Sequence, residues 1–347
     1  GEPKKEKGIR YWLRNKLGEP PVLFSQVDLG YSRNLIQNYS ENRGYFKARA
    51  SADSTKRGKR VTAEYEAYPG KQYRIKEIKF PADSSALSKA IFLTQDKTLL
   101  KNGDGYDFNT IKAERNRIDA RLKEQGYYYF GPDYLKIQVD STVGNYQTDL
   151  IIKVKEETPE QAKKVYTIGK IIIYPNYSLK EGNRKINQLE KDTTAVEYYH
   201  DFTIIDKDKL FNPRIFDRTL YFHKGDLYNR TNHNLSLNRL VNLGTFKFVK
   251  NQFKVSDSID NVLDTYYYLT PLKKKSIRVE ILGKTNSANY TGSELSLNWN
   301  NRNTFKGAEL LAFSLFGGME FQISGQNNGY NIYRIGSEAS LIWPRFI

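Results

Sequence analysis

Hydrophobic and polar positions follow one repeated order along the first three quarters of the chain. An amphipathic helix comes first, then a glycine followed by aromatic residues, and then two alternating strands joined by a turn. The order occurs three times, with Gly44, Gly126 and Gly244 as the predicted left-handed C-caps of the helices. Copies recur about every 80 to 120 residues, a spacing that indicates tandem small domains.

The first copy is predicted from its helical face and its alternating strands. Ser32 is the expected N-cap, and Leu35 and Tyr39 lie on the apolar face of the helix. Apolar and polar residues then alternate over 46–52 and again over 61–67. That period of two is typical of strands with one buried face.

The second and third copies repeat the order with different caps. Asp107 and Asn229 are the predicted N-caps of their helices. Strands are predicted over 135–139, 150–154, 246–248 and 263–269. A polar segment near 176–208 lengthens the third copy, and we expect it to be a surface loop.

After Pro271 the helical period disappears and four alternating strands follow. One face is apolar, with aromatic residues near the strand ends, and the other is polar or small. The pattern is typical of a transmembrane β-barrel, although a soluble β-sandwich has the same local pattern. Four strands cannot close a barrel, so we expect this sheet to be incomplete. The predicted lipid-facing residues are Leu295, Leu297, Trp299, Leu311, Phe313, Tyr333, Leu341 and Trp343.

Composition narrows the possible functions. The 347 residues include no cysteine, which excludes a disulfide framework and a thiolate metal site. The formal net charge is +16, but lysine and arginine are spread along the whole chain rather than gathered in one stripe. That distribution disfavours nucleic-acid binding, and anionic lipid or acidic protein could also account for the charge. The preferred interpretation is a soluble surface near charged membranes.

Enzyme signatures are weak throughout. The three histidines, His200, His223 and His233, make no metal-binding pattern, and no Walker A loop or nucleophile elbow occurs. Asp104 and Asp226 occupy equivalent positions before helices, where turn and cap chemistry accounts for them. We therefore predict no catalytic residue, no metal site, no cofactor and no enzymatic activity.

The arrangement resembles the BamA/TamA superfamily of outer-membrane assembly proteins. Its members carry tandem POTRA (polypeptide-transport-associated) domains, each ordered strand, helix, helix, strand, strand, ahead of a 16-stranded barrel. Residues 43–46, 125–128 and 243–246 carry the resemblance, and residues 73–80 resemble an opening POTRA strand. Residues 12–22 are similar to the TamA-like lipoprotein branch, often called TamL.

The resemblance implies an α+β chain of tandem POTRA domains followed by the first strands of an antiparallel transmembrane β-barrel. We expect residues 1–72 to form a first POTRA domain without its opening strand. Residues 73–159 and 160–271 are expected to form the second and third, with the insertion in the third. Residues 272–347 are expected to form the first four barrel strands.

The resemblance also implies a function: folding and inserting β-barrel proteins in the outer membrane through POTRA domains and a lateral barrel gate. Members of the superfamily bind extended client strands at POTRA edges. The candidate edge residues here are Phe46, Ala48, Leu135, Ile137, Phe246 and Phe248. The candidate gate residues, in the first barrel strand, are Ser276, Ile277, Arg278, Val279, Glu280, Ile281 and Leu282.

Partners and location follow from the same resemblance. We expect unfolded outer-membrane β-barrel clients, outer-membrane lipid and either a periplasm-spanning TamB-like protein or accessory assembly lipoproteins, and no nucleic acid. The expected location is the Gram-negative outer membrane, with the POTRA domains in the periplasm. Two alternatives stay open: a secretion pore that translocates a soluble chain, and a TamA-like factor in lipid transport.

Overall fold

The computed structural model describes residues 8–13, 16, 23–58, 60–178, 193–285, 290–322 and 331–344. Within these ranges no helix is both long and apolar enough to cross a membrane. The chain divides into two compact units. The first comprises Gly1–Asp119 and Gly131–Thr158, and the second comprises Ala120–Phe130 and Pro159–Ile347.

The first unit contains a two-stranded and a three-stranded sheet. Its elements are α1 (Ile9–Trp12), α2 (Leu29–Asn42), β1 (Arg49–Arg57), β2 (Arg60–Tyr68), β3 (Arg74–Lys79), α3 (Ala86–Phe92), α4 (Phe108–Lys123), β4 (Leu135–Asp140) and β5 (Gln147–Val154). The last turn of α4, from Ala120, is assigned to the second unit. Strands β1 and β2 are antiparallel. The other sheet has the order β3-β5-β4, with β3 parallel and β4 antiparallel to β5.

The second unit contains a five-stranded and a four-stranded sheet. Its elements are β6 (Thr167–Tyr174), β7 (Val196–Tyr199), β8 (Phe202–Ile205), α5 (Arg214–Thr219), α6 (Arg230–Asn242), β9 (Phe246–Val255), β10 (Val262–Pro271), β11 (Lys275–Thr285), β12 (Tyr290–Arg302), β13 (Leu310–Gln322) and β14 (Ile332–Ile342). The sheet orders are β7-β8-β6-β10-β9 and β11-β12-β13-β14.

Short 3₁₀ turns connect several of these elements. They cover Phe24–Gln26, Gln95–Lys97, Pro132–Tyr134, Glu160–Lys163 and Thr193–Ala195. Such turns satisfy backbone groups where the chain changes direction.

Two stretches of the chain have the order strand, helix, helix, strand, strand. The first is β3-α3-α4-β4-β5, and the second is β6-α5-α6-β9-β10 with the strands β7 and β8 inserted between β6 and α5. In each, the opening strand pairs parallel with the last strand. Parallel strands cannot be joined by a tight turn, so the helices between them form the crossover. The predicted α+β class is confirmed, and the order is the one expected of POTRA domains.

Local sequence explains where these helices begin and end. The Asp107 carboxylate accepts a hydrogen bond from the Asn109 backbone N–H at 2.7 Å, and the Asn229 side chain accepts one from Asn232 at 2.9 Å. Both predicted caps are confirmed. The predicted cap at Ser32 is wrong, because α2 begins earlier and the Asp28 carboxylate accepts from the Tyr31 N–H at 2.9 Å.

Apolar side chains from helices and strands form the two cores. In the first unit, Ile75, Tyr106 and Leu150 lie in one buried cluster. In the second unit a larger cluster surrounds Phe216, Phe222 and Tyr267, whose side chains are completely buried. Burial of such aromatic side chains supplies much of the stability of small α+β domains.

The lengthened part of the third copy is not only a surface loop. Residues 179–192 lie outside the described residues, but β7 and β8 form a hairpin that joins the sheet beside β6. Phe202 and Ile204 are buried, since their side chains face the core of the unit. The loop prediction for 176–208 is therefore wrong in its second half.

Candidate functional site

The four-stranded sheet gathers its apolar residues on one face. Side chains directly opposite each other in an antiparallel pair lie on the same face. Ile277 pairs with Trp299, Trp299 with Phe313, and Phe313 with Ala339. By the same register Leu295, Leu297, Leu311, Tyr333 and Leu341 lie on this face. Trp343 follows immediately after the end of β14.

This apolar face is uncovered within the described part of the chain. Ile281, Ile335 and Tyr333 are exposed by 79%, 93% and 69% of their surface. Contiguous apolar surface of this extent on a protein indicates contact with another protein or with lipid. The predicted lipid-facing residues that lie in the strands are therefore on one side of the sheet, most of them exposed, with Trp299 and Leu311 half-buried.

The opposite face carries polar and charged side chains that bond to one another across strands. The Asn298 amide donates to Glu280 at 3.3 Å, and the Ser314 hydroxyl donates to Asn298 at 2.7 Å. Arg334 lies 3.4 Å from Glu320 in an ion pair. A polar ladder of this kind suits a surface that faces water.

Backbone hydrogen bonding divides the predicted gate residues into two sets. The Arg302 N–H donates to the Lys274 carbonyl at 2.7 Å, which marks that pair as hydrogen-bonded. Bonded and non-bonded pairs alternate along an antiparallel ladder. In the register of β11 with β12, the bonded set is therefore Ser276, Arg278, Glu280 and Leu282. The backbone groups of Ile277, Val279 and Ile281 point away from β12.

The free edge of β11 is thus made by the residues whose side chains lie on the apolar face. In the described sheet, β11 has β12 as its neighbour on one side and no strand on the other. Any strand added at this edge would bond to the backbone of Ile277, Val279 and Ile281. The sequence pattern could not show this division, because it depends on the register with β12.

The predicted POTRA edge on β4 has the same geometry. The Lys155 N–H donates to the Tyr134 carbonyl at 2.9 Å, so the alternation leaves Leu135, Ile137 and Val139 with backbone groups pointing away from β5. Strand β4 is an edge of its sheet. The two residues predicted here, Leu135 and Ile137, both have outward backbone groups.

Strand β9 is also an edge strand, but the backbone groups of Phe248 do not face outward. The Ser256 N–H donates to the Val262 carbonyl at 2.8 Å, and this phase makes Phe248 a partner of β10. The outward residues are Val249, Asn251, Phe253 and Val255. They lie within the predicted edge 246–255, but the two residues singled out there from the sequence were Phe246 and Phe248. Phe246, beyond a register shift, is buried in the core.

The predicted edge in the first copy begins too early. Strand β1 starts at Arg49, so Phe46 and Ala48 precede it. The Phe46 ring packs 4.9 Å from the Tyr73 ring and 4.8 Å from the Tyr106 ring, centroid to centroid. These aromatic contacts hold Phe46 in the core, and for that reason the strand predicted from residue 46 begins three residues later.

Titratable groups in the described ranges do not form a metal-binding cluster. No group of three or more His, Cys, Asp or Glu side chains comes together there. Burial lowers the pKa of His233, and Asp206 has a raised pKa because its carboxylate is also buried. Asp206 accepts backbone hydrogen bonds from Leu210 at 2.6 Å and from Asp208 at 3.2 Å, which indicates a structural role in that loop.

The fold and the site define a class of chain. Two stretches with POTRA element order are followed by an antiparallel sheet that has one exposed apolar face and, in the described residues, an unpaired edge on its first strand. Among family models no match was found. A search of curated proteins also found no match.

Solved structures similar to this chain include members of the superfamily that the sequence resembles. The POTRA3–5 segment of BamA from Haemophilus influenzae is 16% identical with a TM-score of 0.38, covering 70% of this chain and 80% of that one. BamA from Haemophilus ducreyi lacking POTRA domains 1–3 is 14% identical with a TM-score of 0.42, covering 78% and 47%. CdiB from Acinetobacter baumannii is 11% identical with a TM-score of 0.34, covering 72% and 39%.

Proposed function

We propose that this chain belongs to an outer-membrane β-barrel assembly factor of the BamA/TamA superfamily, in the TamA-like lipoprotein branch. One observation carries the proposal. A sheet with an exposed apolar face and a free first strand follows an α+β unit of POTRA order after only residues 272–274. The sheet supplies the membrane part of the factor, and the α+β units supply the part in the periplasm.

The free edge of β11 acts as the template for client strands. Unpaired backbone groups in lipid cost several kcal/mol each, so an open edge there strongly favours an incoming strand. Ile277, Val279 and Ile281 point their backbone groups to that edge and their side chains to the apolar face. A client strand bonded to them would continue the lipid-facing surface of the sheet.

The edges of the α+β units act earlier, on extended clients in water. Strand addition uses backbone hydrogen bonds, so it accepts many client sequences. The outward backbone groups of β4 and β9 fit this role. Outward-pointing lysines such as Lys136 and Lys247 discourage pairing between copies of the same edge.

The factor is proposed to act without catalysing a chemical reaction. Its partners are unfolded β-barrel clients, outer-membrane lipid and a TamB-like protein or accessory lipoproteins. Free energy for insertion comes from pairing client backbone groups and burying apolar side chains in lipid. This mechanism requires no catalytic residue, metal or cofactor.

A secretion pore is the second candidate, and the polar face of the sheet favours it. Charged pairs such as Arg278 with Glu280, 3.5 Å apart, would line a water-filled interior. A soluble chain crossing that interior would meet this polar face rather than the edge of β11. The two functions therefore use different surfaces of one sheet.

Reconstitution of the full-length protein in vesicles separates the two functions. An assembly factor accelerates the folding of an added β-barrel client, measured as the appearance of its heat-resistant form on a gel. A secretion pore leaves that rate unchanged and instead protects an added soluble chain inside the vesicles from external protease. If vesicles that contain inserted protein show neither accelerated folding nor protection of the soluble chain, both candidate functions are contradicted.

A further inference from the structure

The turn between β12 and β13 is fixed to the α+β part of the second unit by hydrogen bonds. The Asn303 side-chain amide donates to the Leu210 carbonyl at 2.8 Å, and the Asn212 N–H donates to the Lys306 carbonyl at 2.7 Å. Within the turn, the Glu309 carboxylate accepts from the N–H groups of Phe305 and Gly307. The turn is therefore held in one conformation against the 210–212 loop.

A pocket of about 260 Å³ lies between this turn, the loop and the start of β11. Four basic residues line it: Lys209, Lys274, Arg302 and Lys306. Its remaining walls are largely apolar, from Leu210, Phe211, Pro271 and Leu272, and Asp208 is its one carboxylate. The pocket thus combines a strongly positive rim with an apolar lining.

The lysines of the pocket have no carboxylate partner among the described residues. No ion pair within 4 Å joins Lys209, Lys274 or Lys306 to an acidic side chain in the described ranges. Asp208 accepts from the Asn176 amide at 2.9 Å. Four basic residues against one carboxylate leave the pocket with a positive balance, and an anion bound there offsets the repulsion between like charges.

Backbone conformation at two of the lysines also indicates a site. Lys209 and Lys306 have φ angles of +45° and +69°, in the left-handed region that side chains with a Cβ rarely adopt. Such strain costs free energy and persists where the surrounding contacts impose it. Here the contacts of the turn and the loop hold both lysines at the rim of the same pocket.

The place of the pocket in the sheet identifies the ligand class. β11 begins, β12 ends, β13 begins and β14 ends at this end of the sheet, next to the exposed apolar face. The rings of Phe305 and Trp343 stack there with centroids 6.2 Å apart. Aromatic residues gather at the boundary between lipid and water in membrane proteins, where lipid headgroups lie.

We infer that this pocket binds the phosphate of an anionic glycerophospholipid headgroup, through Lys209, Lys274, Arg302 and Lys306. The inference rests on the proposed membrane location of the sheet. The apolar wall accepts the glycerol and the first acyl carbons, which free inorganic phosphate lacks. Bound lipid would fix the start of β11, the template strand, because Lys274 lies directly before it.

Calorimetric titration of the full-length protein in detergent with short-chain phosphatidylglycerol tests this inference. We expect the K274Q/K306Q variant to bind the lipid about tenfold or more weakly, since it removes two of the four positive charges that attract the phosphate. The K274R/K306R variant should retain binding, which also checks that the pocket folds. K89Q/K101Q removes two exposed lysines elsewhere and should bind like the parent protein.

Parallel titrations separate the possible ligands. Equal lipid affinity in the parent protein and K274Q/K306Q would overturn the inference, as would equally tight binding of inorganic phosphate. Binding of an acidic peptide in place of the lipid would assign the pocket to a protein partner and overturn it too. Vesicle insertion is measured separately, on detergent-free vesicles reconstituted from the same protein preparations. A protein that does not insert contradicts the proposed function, whereas one that inserts without headgroup selectivity contradicts only this inference.

Discussion

Gly126 shows how a single backbone position joins helix, loop and strand in the second unit. Its φ of +90° is left-handed, and its carbonyl accepts the Tyr166 N–H at 2.9 Å. A Cβ at this position would lie 2.6 Å from a Val165 methyl and 2.8 Å from a Leu227 methyl. The conformation therefore favours glycine, and a Cβ would also force the Val165 and Leu227 side chains to shift.

Replacing Gly126 by alanine tests these two requirements separately. We expect Gly126→Ala to destabilise the unit by about 2–4 kcal/mol, from left-handed strain and overlap together. Gly144 has a φ of +89° and open space around it, so Gly144→Ala is the control for strain alone, at about 1 kcal/mol. Hydrogen exchange of the 166–174 amides measures the loss of stability in Gly126→Ala, and exchange of the 147–154 amides measures the loss in the control Gly144→Ala. Equal losses would show that the contacts at Gly126 cost nothing.

Glu114 is a completely buried carboxylate that joins α4 to the segment after α3. It accepts from the Thr98 hydroxyl at 2.8 Å, from the Leu99 N–H at 2.9 Å and from the Arg117 guanidinium at 2.7 Å. Burial alone would raise its pKa, but these hydrogen bonds and the Arg117 charge outweigh burial, and the pKa is lowered. The ionised form is therefore the one that stabilises the fold.

Acidification should remove this stabilisation. Because the folded-state pKa lies below the unfolded value of 4.5, the contribution is complete above that pH and is lost as the pH falls through the folded-state pKa. Glu114→Gln should lower the free energy of unfolding by about 2–3 kcal/mol at neutral pH. On acidification the variant should lose less further stability than the parent protein does. Thermal unfolding between pH 7 and about pH 3 measures this. The exposed substitution Glu64→Gln is the control, and an acid dependence unchanged in Glu114→Gln would contradict the account.

At the residue scale the sequence predicts caps better than edges. Asp107, Asn229 and the three C-cap glycines are recognised because capping chemistry is local. Asp28 is missed because both it and Ser32 are good cap residues, and the sequence does not decide between them. The outward residues of β9 are missed because only the register with β10 decides which backbone groups face outward.

At the element scale the edge of β4 makes a specific claim about one backbone N–H. Ile137 points its N–H away from β5, so proline there removes one donor from the free edge. Ile137→Ala removes the same apolar side chain but keeps the N–H, and is the matched control. We expect Ile137→Pro to bind an extended client peptide about fivefold more weakly than Ile137→Ala, the effect of about 1 kcal/mol. Fluorescence anisotropy of a labelled peptide measures both; equal affinities in folded variants would rule out this edge.

The hairpin of β7 and β8 shows why some elements escape sequence prediction. Each strand has only four residues, too few for an alternating pattern to be distinguished from an irregular loop. Their position in the sheet depends on pairing with β6, which is distant in sequence and lies beside β8 only in the folded chain. The longer strands β11 to β14 were predictable because their alternation extends over 11 to 13 residues.

At the scale of the whole molecule, the fold class and the order of elements follow from the sequence, whereas the division into domains at 72, 159 and 271 stays a prediction. The apolar face of the last sheet was also predictable, since alternation alone sets it. The pocket beside β11 was not, because its lysines come from three separate segments. Spatial convergence of distant charges leaves no periodic signal in a sequence.

Disulfide trapping of a client on β11 tests the central claim most directly. A client strand bonded to Ile277, Val279 and Ile281 places Ser276, Arg278 and Glu280 in non-hydrogen-bonded pairs with it, about 4.5 Å apart between Cα atoms. That spacing suits a disulfide, and the chain has no cysteine of its own to give a background. Single cysteines at these three positions are combined with cysteines in the last strand of a client barrel. Ser314→Cys is the control, because β13 is paired on both sides.

The account predicts trapped client at Ser276, Arg278 and Glu280 and none at Ser314. When the cysteine on β11 is moved by two residues, the client position that it traps should also move by two residues. The measurement is the amount of cross-linked client on a non-reducing gel during assembly in vesicles. Trapping at Ser314 as strong as on β11, or no trapping on β11 while the client folds at its normal rate, would contradict the claim that β11 is the template edge.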